Sequence, residues 1–317
     1  MKAALFAAVI IIALVSFQMW SSHAAEKAAP PIGTFIDVDG ERLHVVDIPA
    51  REGTTATGAE PPPIVLIHGA SVNLRDLMIA LGDPLSEKHR VILVDRPGRG
   101  YSSRPKDGWR LERQAALIHG AVAALGAEKP VVVGQSYGGA VALAYALAYQ
   151  DEMSGLVLLA PVSHKWPGGV AWYNRVSGWP VAGVLLRRLV IPLYARLAAE
   201  PGVKKSFGPN TAPENYYGDS GLALLFRPAD FKANAEDLRT LKAQIVDMSA
   251  RYGEIRVPTT IMTGASDPTV SPKIHSETLA REIPGAVLDL IPNAGHALHH
   301  AETARVVAAI ERAAGRN

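Results

Sequence analysis

Short apolar runs alternate with longer amphipathic segments along most of the chain. The runs predicted as strands are 64–69, 90–95, 130–134, 155–161, 257–264 and 286–291. The segments predicted as helices are 73–88 with a Gly-Asp-Pro break, 110–126, 136–150, about 272–282 and about 297–314. Continuous apolar strands that alternate with helices are typical of parallel strands covered on both faces. The pattern therefore predicts an α/β fold.

Two segments near the start of this pattern differ from it. Residues 34–48 predict a β-hairpin, because Asp39-Gly40 lies between two β-rich runs and supplies the turn. Residues 49–63 are rich in Pro, Gly, Thr and Ala, which predicts an exposed loop.

A longer interruption follows the sixth predicted strand. Residues 164–250 have a helical pattern rich in Trp, Tyr, Pro and Arg, which predicts a helical cap inserted into the α/β core. We therefore expect the core to comprise residues 26–163 and 251–317. Some cap aromatics are expected to face a substrate and most to build the cap's own core and its contact with the sheet. These aromatics are Trp166, Trp172, Tyr173, Trp179, Tyr194, Tyr216, Tyr217 and Phe226.

The first 25 residues resemble a targeting segment. Basic Lys2 precedes an apolar run over residues 3–20, and Ser22 and Ala24 permit cleavage after Ala24, as in a secretory signal peptide. The run almost reaches the ~20 residues that a membrane span requires, so an uncleaved anchor is the alternative. A buried core helix is a third interpretation. The first two predict a protein that is exported, to the periplasm or beyond the cell, or associated with the membrane through residues 3–20.

Composition narrows the classes of function further. The chain has 317 residues, of which 48% are hydrophobic and 20% charged, so it can build a large core. Its net charge of +2 is spread without a basic stripe, so no nucleic-acid partner is predicted. The absence of cysteine excludes disulfides, thiolate metal sites and a cysteine nucleophile.

The sequence Gly134-Gln135-Ser136-Tyr137-Gly138 lies where a predicted strand meets a predicted helix. A serine at this corner adopts an unfavourable backbone conformation, and small residues two positions before and after it prevent collisions. The helix N-terminus also favours negative charge developing at the serine. The pattern therefore indicates a nucleophile at Ser136, whereas the alternative is a glycine-rich connection with an incidental serine.

A serine nucleophile requires a base and an orienting carboxylate. Asp267 follows the next-to-last predicted strand and His296 follows the last one. Ser136, Asp267 and His296 thus all lie at the carboxyl ends of strands, which face one crevice in an open sheet. The Asp267 side chain could instead simply form a turn. A metal site involving His296 and His299 is not predicted, because no matching ligand cluster precedes them, and His299 and His300 are expected to be ordinary helix residues.

An oxyanion formed during attack requires backbone N–H donors. Tyr137, directly after the serine, is expected to supply one, and Ala70 in the loop after 64–69 the other, with Ser71 as the alternative. His68 is expected to hold this loop. Ser71 and Asn73 could also cap the following helix.

The chain resembles the α/β-hydrolase fold family in the segments "HGAS", "DRPGRGYS", "GQSYGG", "GASD" and "GH". This resemblance implies an eight-stranded, mostly parallel sheet and a Ser136-Asp267-His296 triad. Ser136 separates the chain from the haloalkane dehalogenases and epoxide hydrolases of that fold, which have aspartate at this position.

These features predict a serine hydrolase that cleaves a small-molecule ester through an acyl-enzyme, with no cofactor and no metal. The same residues could serve C–C bond hydrolysis of a diketone, thioester or lactone cleavage, or cofactor-free perhydrolysis. Two hypotheses of other classes are a non-catalytic binding module of the same fold and a membrane-tethered scaffold.

Overall fold

The computed structural model describes residues 2–51 and 61–315 and contains one eight-stranded sheet. Its strands are β1 (Thr34–Val38), β2 (Glu41–Ile48), β3 (Ile64–Ile67), β4 (Val91–Val94), β5 (Val131–Gln135), β6 (Gly155–Leu159), β7 (Thr259–Gly264) and β8 (Val287–Ile291). They lie in the order β1-β2-β4-β3-β5-β6-β7-β8. β2 pairs antiparallel with β1 and β4, and all other pairs are parallel. The predicted fold class is confirmed, and so is the hairpin. The loop predicted at 49–63 falls largely on residues 52–60, outside the described residues.

Thirteen α-helices accompany the sheet in the described residues. They are α1 (Lys2–Ala28), α2 (Leu74–Leu77), α3 (Asp83–Ser86), α4 (Leu111–Ala124), α5 (Tyr137–Tyr149), α6 (Trp172–Val176), α7 (Ala182–Leu185), α8 (Ile191–Phe207), α9 (Tyr216–Asp219), α10 (Pro228–Ser249), α11 (Ser276–Glu282), α12 (Leu298–Ala301) and α13 (Thr303–Ala314). π-helical turns cover Met78–Gly82 and Leu186–Val190, and 3-10 turns cover Gln150–Glu152, Leu222–Phe226 and Tyr252–Glu254.

Hydrophobic side chains cover both faces of the sheet. In β5, Val132 packs into a cluster with α4, α5 and α11, whereas Val131 and Val133 pack into a second cluster with α2, α3 and α13. Successive strand residues point to opposite faces, so a strand buried on both faces must be apolar at every position. This is why the strands appear as continuous apolar runs in the sequence.

Two predicted helix boundaries differ from the structure. The Gly82-Asp83-Pro84 stretch does not break the segment after Asn73, because a π-helical turn leads directly into α3. Pro84 lies in the first turn of α3, where a residue without a backbone N–H is tolerated. The predicted last helix is divided at Glu302, whose φ of −128° and ψ of 39° are not helical.

Helices α6 to α10 connect β6 to β7 in the region predicted as the cap. Tyr173 and Phe226 pack in a small cluster around Phe231, as expected of cap-core residues. Trp172 and Trp179 do not, since each is 59% exposed. The expectation that most cap aromatics are buried is therefore wrong for these two tryptophans, and Tyr194 and Tyr217 are also exposed.

Candidate active site

Ser136 lies at a sharp corner between β5 and α5. Its φ of 54° and ψ of −115° belong to a conformation that side chains other than glycine rarely adopt. A Cβ built at Gly134 would overlap the carbonyl oxygen of Gly138, and one at Gly138 would overlap that of Ile67. Both glycines are therefore required by close backbone approach. The tight fit at Gly138 comes from β3 rather than from the serine itself.

Replacing Gly138 with alanine is expected to destabilise the fold by about 3 kcal/mol or more, since the overlapping atoms are backbone and cannot move aside. Chemical denaturation followed by circular dichroism measures this change. Gly169→Ala is the matched control, because a Cβ there meets open space. Equal stability of the two variants would contradict the crowding inferred at the corner.

Asp267 and His296 form a hydrogen-bonded pair at the same edge of the sheet. His296 Nδ1 lies 2.7 Å from Asp267 Oδ2, and the side chain of Asp267 is completely buried. The other carboxylate oxygen accepts hydrogen bonds from the backbone N–H groups of Thr269 (2.7 Å) and Val270 (2.9 Å). A carboxylate fixed in this way can hold the imidazole in the tautomer that carries its proton on Nδ1, leaving Nε2 able to accept one.

Ser136 and His296 are close in the fold, but they are not hydrogen-bonded to one another within residues 2–51 and 61–315. Instead, the amide Nε2 of Gln135, the residue before the serine, lies 3.4 Å from His296 Nε2. Catalytic hydrogen bonds are often long in unliganded enzymes and shorten when substrate binds. The structure thus places the Asp267–His296 pair against Gln135, the residue before the serine, without a Ser136–His296 hydrogen bond among the described residues.

The loop after β3 passes directly beside Ser136. A Cβ built at Gly69 would lie 3.3 Å from the Ser136 Cβ. Neither the Ala70 N–H nor the Tyr137 N–H donates to another group in the described part of the chain, whereas the Ser71 N–H donates to Asn234 Oδ1 at 2.8 Å. Of the two candidates in this loop, the geometry favours Ala70 as the second oxyanion donor, since its N–H is available for a substrate oxygen.

The sequence interpretation missed a buried arginine, Arg96, that fastens this loop. Its guanidinium donates to the carbonyl oxygens of His68 (2.9 Å) and Gly69 (3.0 Å) and to Asp237 of α10 (2.9 Å). It also lies 4.2 Å from the centroid of the Tyr137 ring. Arg96 thus touches both segments that offer oxyanion donors and joins them to the cap. Its place at the tip of β4, within "DRPGRGYS", is the signal that could have revealed it.

His68 also holds the loop after β3, as expected from the sequence. Its Nε2 accepts the Arg96 backbone N–H at 3.0 Å, and its Nδ1 lies 2.8 Å from the Gly69 carbonyl oxygen. Burial, and then the Arg96 guanidinium, lower the pKa of His68 to about 3. This imidazole therefore stays neutral in the folded protein and is unsuited to act as a second base near neutral pH.

Acid is expected to destabilise the protein through His68 and His275. Burial, and then the neighbouring His164, lower the pKa of His275 to about 4. Both groups are neutral when folded but protonated in the unfolded chain below a pH of about 6.5, so the unfolded state binds more protons. Each should reduce the free energy of unfolding by up to about 1.4 kcal/mol per pH unit below that value, until its folded pKa is reached.

This pH dependence of stability is tested by measuring denaturation midpoints from neutral pH down to the pKa of His275 in the folded protein. In His275→Asn, the asparagine oxygen can replace Nδ1 as acceptor for the Ser163 and His164 N–H groups without titrating. That variant should show the shallower decline. An equal slope in both proteins would refute the assignment of His275.

A second cluster missed from the sequence lies next to His296. Asp76 of α2 accepts from Tyr216 of the cap (2.6 Å) and interacts with His299 (3.1 Å) and His300 (3.0 Å) of α12. Burial opposes ionisation of Asp76, but the two imidazoles hold its carboxyl pKa well below the usual range. The expectation that His299 and His300 are ordinary helix residues is therefore wrong. No periodic signal links Asp76 to residues more than 200 positions away.

The same cluster has a composition that could hold a metal ion, because the donor atoms of Asp76, His299 and His300 lie within 4.8 Å of one another. The Asp76 oxygens, however, are already used by three neighbours, including the Tyr216 hydroxyl. The arrangement is that of a hydrogen-bonded network joining α2, the cap and the segment after His296.

Comparison with known proteins agrees with this architecture. Residues 64–310 match the model of the alpha/beta hydrolase family. The chain is 31% identical over 248 residues to the 2-hydroxy-6-oxo-6-phenylhexa-2,4-dienoate hydrolase of Burkholderia cepacia, covering 74% of this chain and 80% of that protein. It is 28% identical over 287 residues to haloalkane dehalogenase 2 of Mycobacterium bovis, covering 87% and 92%.

Among solved structures, the enol-lactonase of Burkholderia xenovorans resembles this fold with a TM-score of 0.71. The two are 19% identical, and the match covers 88% of this chain and 99% of that one, so the likeness concerns the fold alone. With its family match over most of its length and a relative above 30% identity, the chain belongs to the alpha/beta hydrolase family.

Proposed function

We propose that this protein is a serine hydrolase that cleaves carboxylic esters through a Ser136-His296-Asp267 triad. The observation that supports it best is the strained serine at the β5–α5 corner, with a loop carrying a free N–H beside it and a buried Asp–His pair at the same sheet edge. Strain of this kind persists where the surrounding structure imposes it, and it is common at active sites.

In the first half of the proposed reaction, His296 Nε2 takes the proton of the Ser136 hydroxyl while its oxygen attacks the ester carbonyl carbon. Asp267 stabilises the imidazolium through the 2.7 Å contact to Nδ1. The N–H groups of Ala70 and Tyr137 bind the oxyanion of the tetrahedral intermediate. Collapse of that intermediate breaks the carbon–oxygen bond, and the departing alkoxide receives the proton from His296.

The second half regenerates the enzyme. His296 takes a proton from water, and the hydroxide attacks the acyl-enzyme carbonyl. Collapse of the second tetrahedral intermediate breaks the bond to Ser136, releases the acid and returns the proton to the serine. Each step uses groups already present at this edge of the sheet, so the proposed cycle requires no cofactor.

C–C bond hydrolysis of a diketone is a second candidate, favoured by the relative whose name gives it a 2-hydroxy-6-oxo-6-phenylhexa-2,4-dienoate substrate. Dehalogenation is less compatible with Ser136, although one relative is named a haloalkane dehalogenase. Displacement of halide by a serine oxygen would leave an alkyl ether, which has no carbonyl for water to attack. An aspartate nucleophile would leave a hydrolysable ester.

The test uses the full-length chain purified in detergent. We would follow hydrolysis of p-nitrophenyl acetate, butyrate and octanoate, and of 2-hydroxy-6-oxo-6-phenylhexa-2,4-dienoate, alongside labelling by a serine-directed fluorophosphonate. Turnover of the esters supports the proposal, and turnover of the diketone alone supports the second candidate. Absence of both turnover and labelling would overturn the enzyme interpretation and favour the binding module.

The location of this hydrolase is proposed from α1. Among the described helices, α1 is long and apolar enough to cross a membrane over Val9–Ala28, a test that signal sequences also pass. Its second half contacts the cap, and Gln18 and Ala25 are buried. Cleavage after Ala24 would remove the part of α1 that includes buried Gln18, so we favour a retained anchor that holds the enzyme outside the cytoplasm. Mass spectrometry of the protein from isolated membranes would reveal its N-terminus.

A further inference from the structure

The cap carries a large exposed apolar surface, defined here as the cap face. It comprises nine side chains of residues 172–197 that belong to α6, α7, α8 and the turns between them. They are Trp172, Trp179, Val181, Val184, Leu185, Val190, Leu193, Tyr194 and Leu197. Leu197 is 79% exposed and Val181 is 72% exposed. Val190, Leu193, Tyr194 and Leu197 recur at the i, i+3, i+4, i+7 spacing that places side chains on one face of a helix. Large exposed apolar patches mark interaction sites.

The expectation that the chain has no basic stripe is wrong for the segment around the cap face, where basic residues far outnumber acidic ones. Residues 164–208 contain seven Lys and Arg and one acidic residue, Glu200, whereas the other 272 residues contain the remaining 25 basic and 29 acidic ones. The basic residues are Lys165, Arg175, Arg187, Arg188, Arg196, Lys204 and Lys205. Exposed aromatic and aliphatic side chains interspersed with Lys and Arg are the composition of surfaces that lie in the headgroup region of anionic membranes.

The cap face also adjoins α1. Helix α1 contacts the π-helical turn Leu186–Val190, and it contacts α8 as well. In the first half of α1, Leu5, Phe6 and Ile12 are all more than 60% exposed. Because the apolar span Val9–Ala28 overlaps the part of α1 that packs on the cap, any bilayer that receives the span must also meet the neighbouring cap surface.

We propose that the cap face lies in the headgroup region of an anionic phospholipid bilayer, beside the membrane-embedded α1. The apolar side chains enter the acyl boundary while Arg188, Lys204 and Lys205 meet lipid phosphates. Neither the apolar contact nor the phosphate contact depends on the chemistry of Ser136. This inference can therefore be tested independently of the proposed reaction.

The absence of native cysteine permits a direct test in the full-length chain. Single-cysteine variants Val181→Cys and Leu197→Cys are labelled with nitrobenzoxadiazole and reconstituted into vesicles of phosphatidylcholine, with or without phosphatidylglycerol. Val287→Cys is the matched control, since Val287 is an exposed valine on edge strand β8 rather than on the cap. Quenching is measured with iodide in the water and with lipids that carry a nitroxide on the acyl chain.

We expect the labels at 181 and 197 to be protected from iodide and quenched several-fold more by nitroxide lipids than the label at 287. Phosphatidylglycerol should strengthen this difference, and Lys204→Gln/Lys205→Gln should weaken it. Full access of iodide to both cap labels would overturn the proposal. Protection from both quenchers would also overturn it, because that result indicates a second protein copy over the cap face. Identical quenching with and without the anionic lipid would overturn it as well.

Discussion

Replacing Ser136 with alanine is expected to lower kcat on the proposed ester substrate by roughly 10⁴-fold or more, with little change in stability. The loss is large because the attacking oxygen disappears, and the Asp267–His296 pair cannot supply another nucleophile of equal reactivity. The remaining activity should come from substrate binding and from stabilisation by the oxyanion donors, with water as the attacking group. Steady-state hydrolysis and single-turnover acylation, measured with the same enzyme preparation, separate the loss of chemistry from a loss of binding.

Ser154→Ala is the matched control for this variant. Ser154 precedes β6 at the opposite edge of the sheet, and its hydroxyl is buried without a hydrogen-bond partner among the described residues. Its removal should leave both kcat and stability almost unchanged. If Ser136→Ala retained activity within about tenfold of the unmodified enzyme, Ser136 would not be the nucleophile, and the proposed reaction would have to be abandoned.

Replacing Asp237 with alanine is expected to lower the free energy of unfolding by about 3–5 kcal/mol. Asp237 and Arg96 are both completely buried, and the carboxylate also accepts from Arg104 at 2.7 Å. Its removal would leave the Arg96 guanidinium without a counter-charge inside the protein. The expected cost arises from that uncompensated charge rather than from the loss of one favourable contact. Denaturant unfolding monitored by tryptophan fluorescence measures it.

Asp83→Ala provides the comparison at the surface. Asp83 pairs with Arg51 at 2.6 Å, but both side chains are more than half exposed, so the change should remain below about 1 kcal/mol. Because Arg96 also holds the His68 and Gly69 carbonyl groups, the folded Asp237 variant should lose kcat more than it raises KM. A stability loss no larger than that of Asp83→Ala would contradict the role of the buried pair.

The parts of this protein that can be predicted from its sequence are those in which a local steric requirement decides the residue type. Strands buried on both faces must be apolar at every position, so β3 to β6 could be read directly as runs of Val, Ile and Leu. The positive φ of Ser136 and the crowded backbone at Gly134 and Gly138 leave few alternatives to small residues. Positions of this kind are visible without a structure because a single residue type satisfies a local steric requirement.

Other features depend on side chains that the fold brings together from distant segments. Asp237 occupies one position of a long amphipathic helix, and nothing in its neighbourhood indicates that Arg96 will meet it across 141 positions. Asp76 likewise meets His299 and His300 only because α2, α9 and α12 converge beside the candidate active site. Exposed tryptophans in the cap are a third example, since composition alone suggested a core.

The sequence by itself determined the α/β alternation, the hairpin, and the order in which a candidate serine, acid and histidine follow the strand ends, because periodicity and turn chemistry are local properties. Only the tertiary structure decided which N–H of the loop after β3 remains free, which charges are buried together, and which cap side chains face outward. Those outcomes depend on how separate elements pack, and packing joins residues whose separation along the chain carries no local signal.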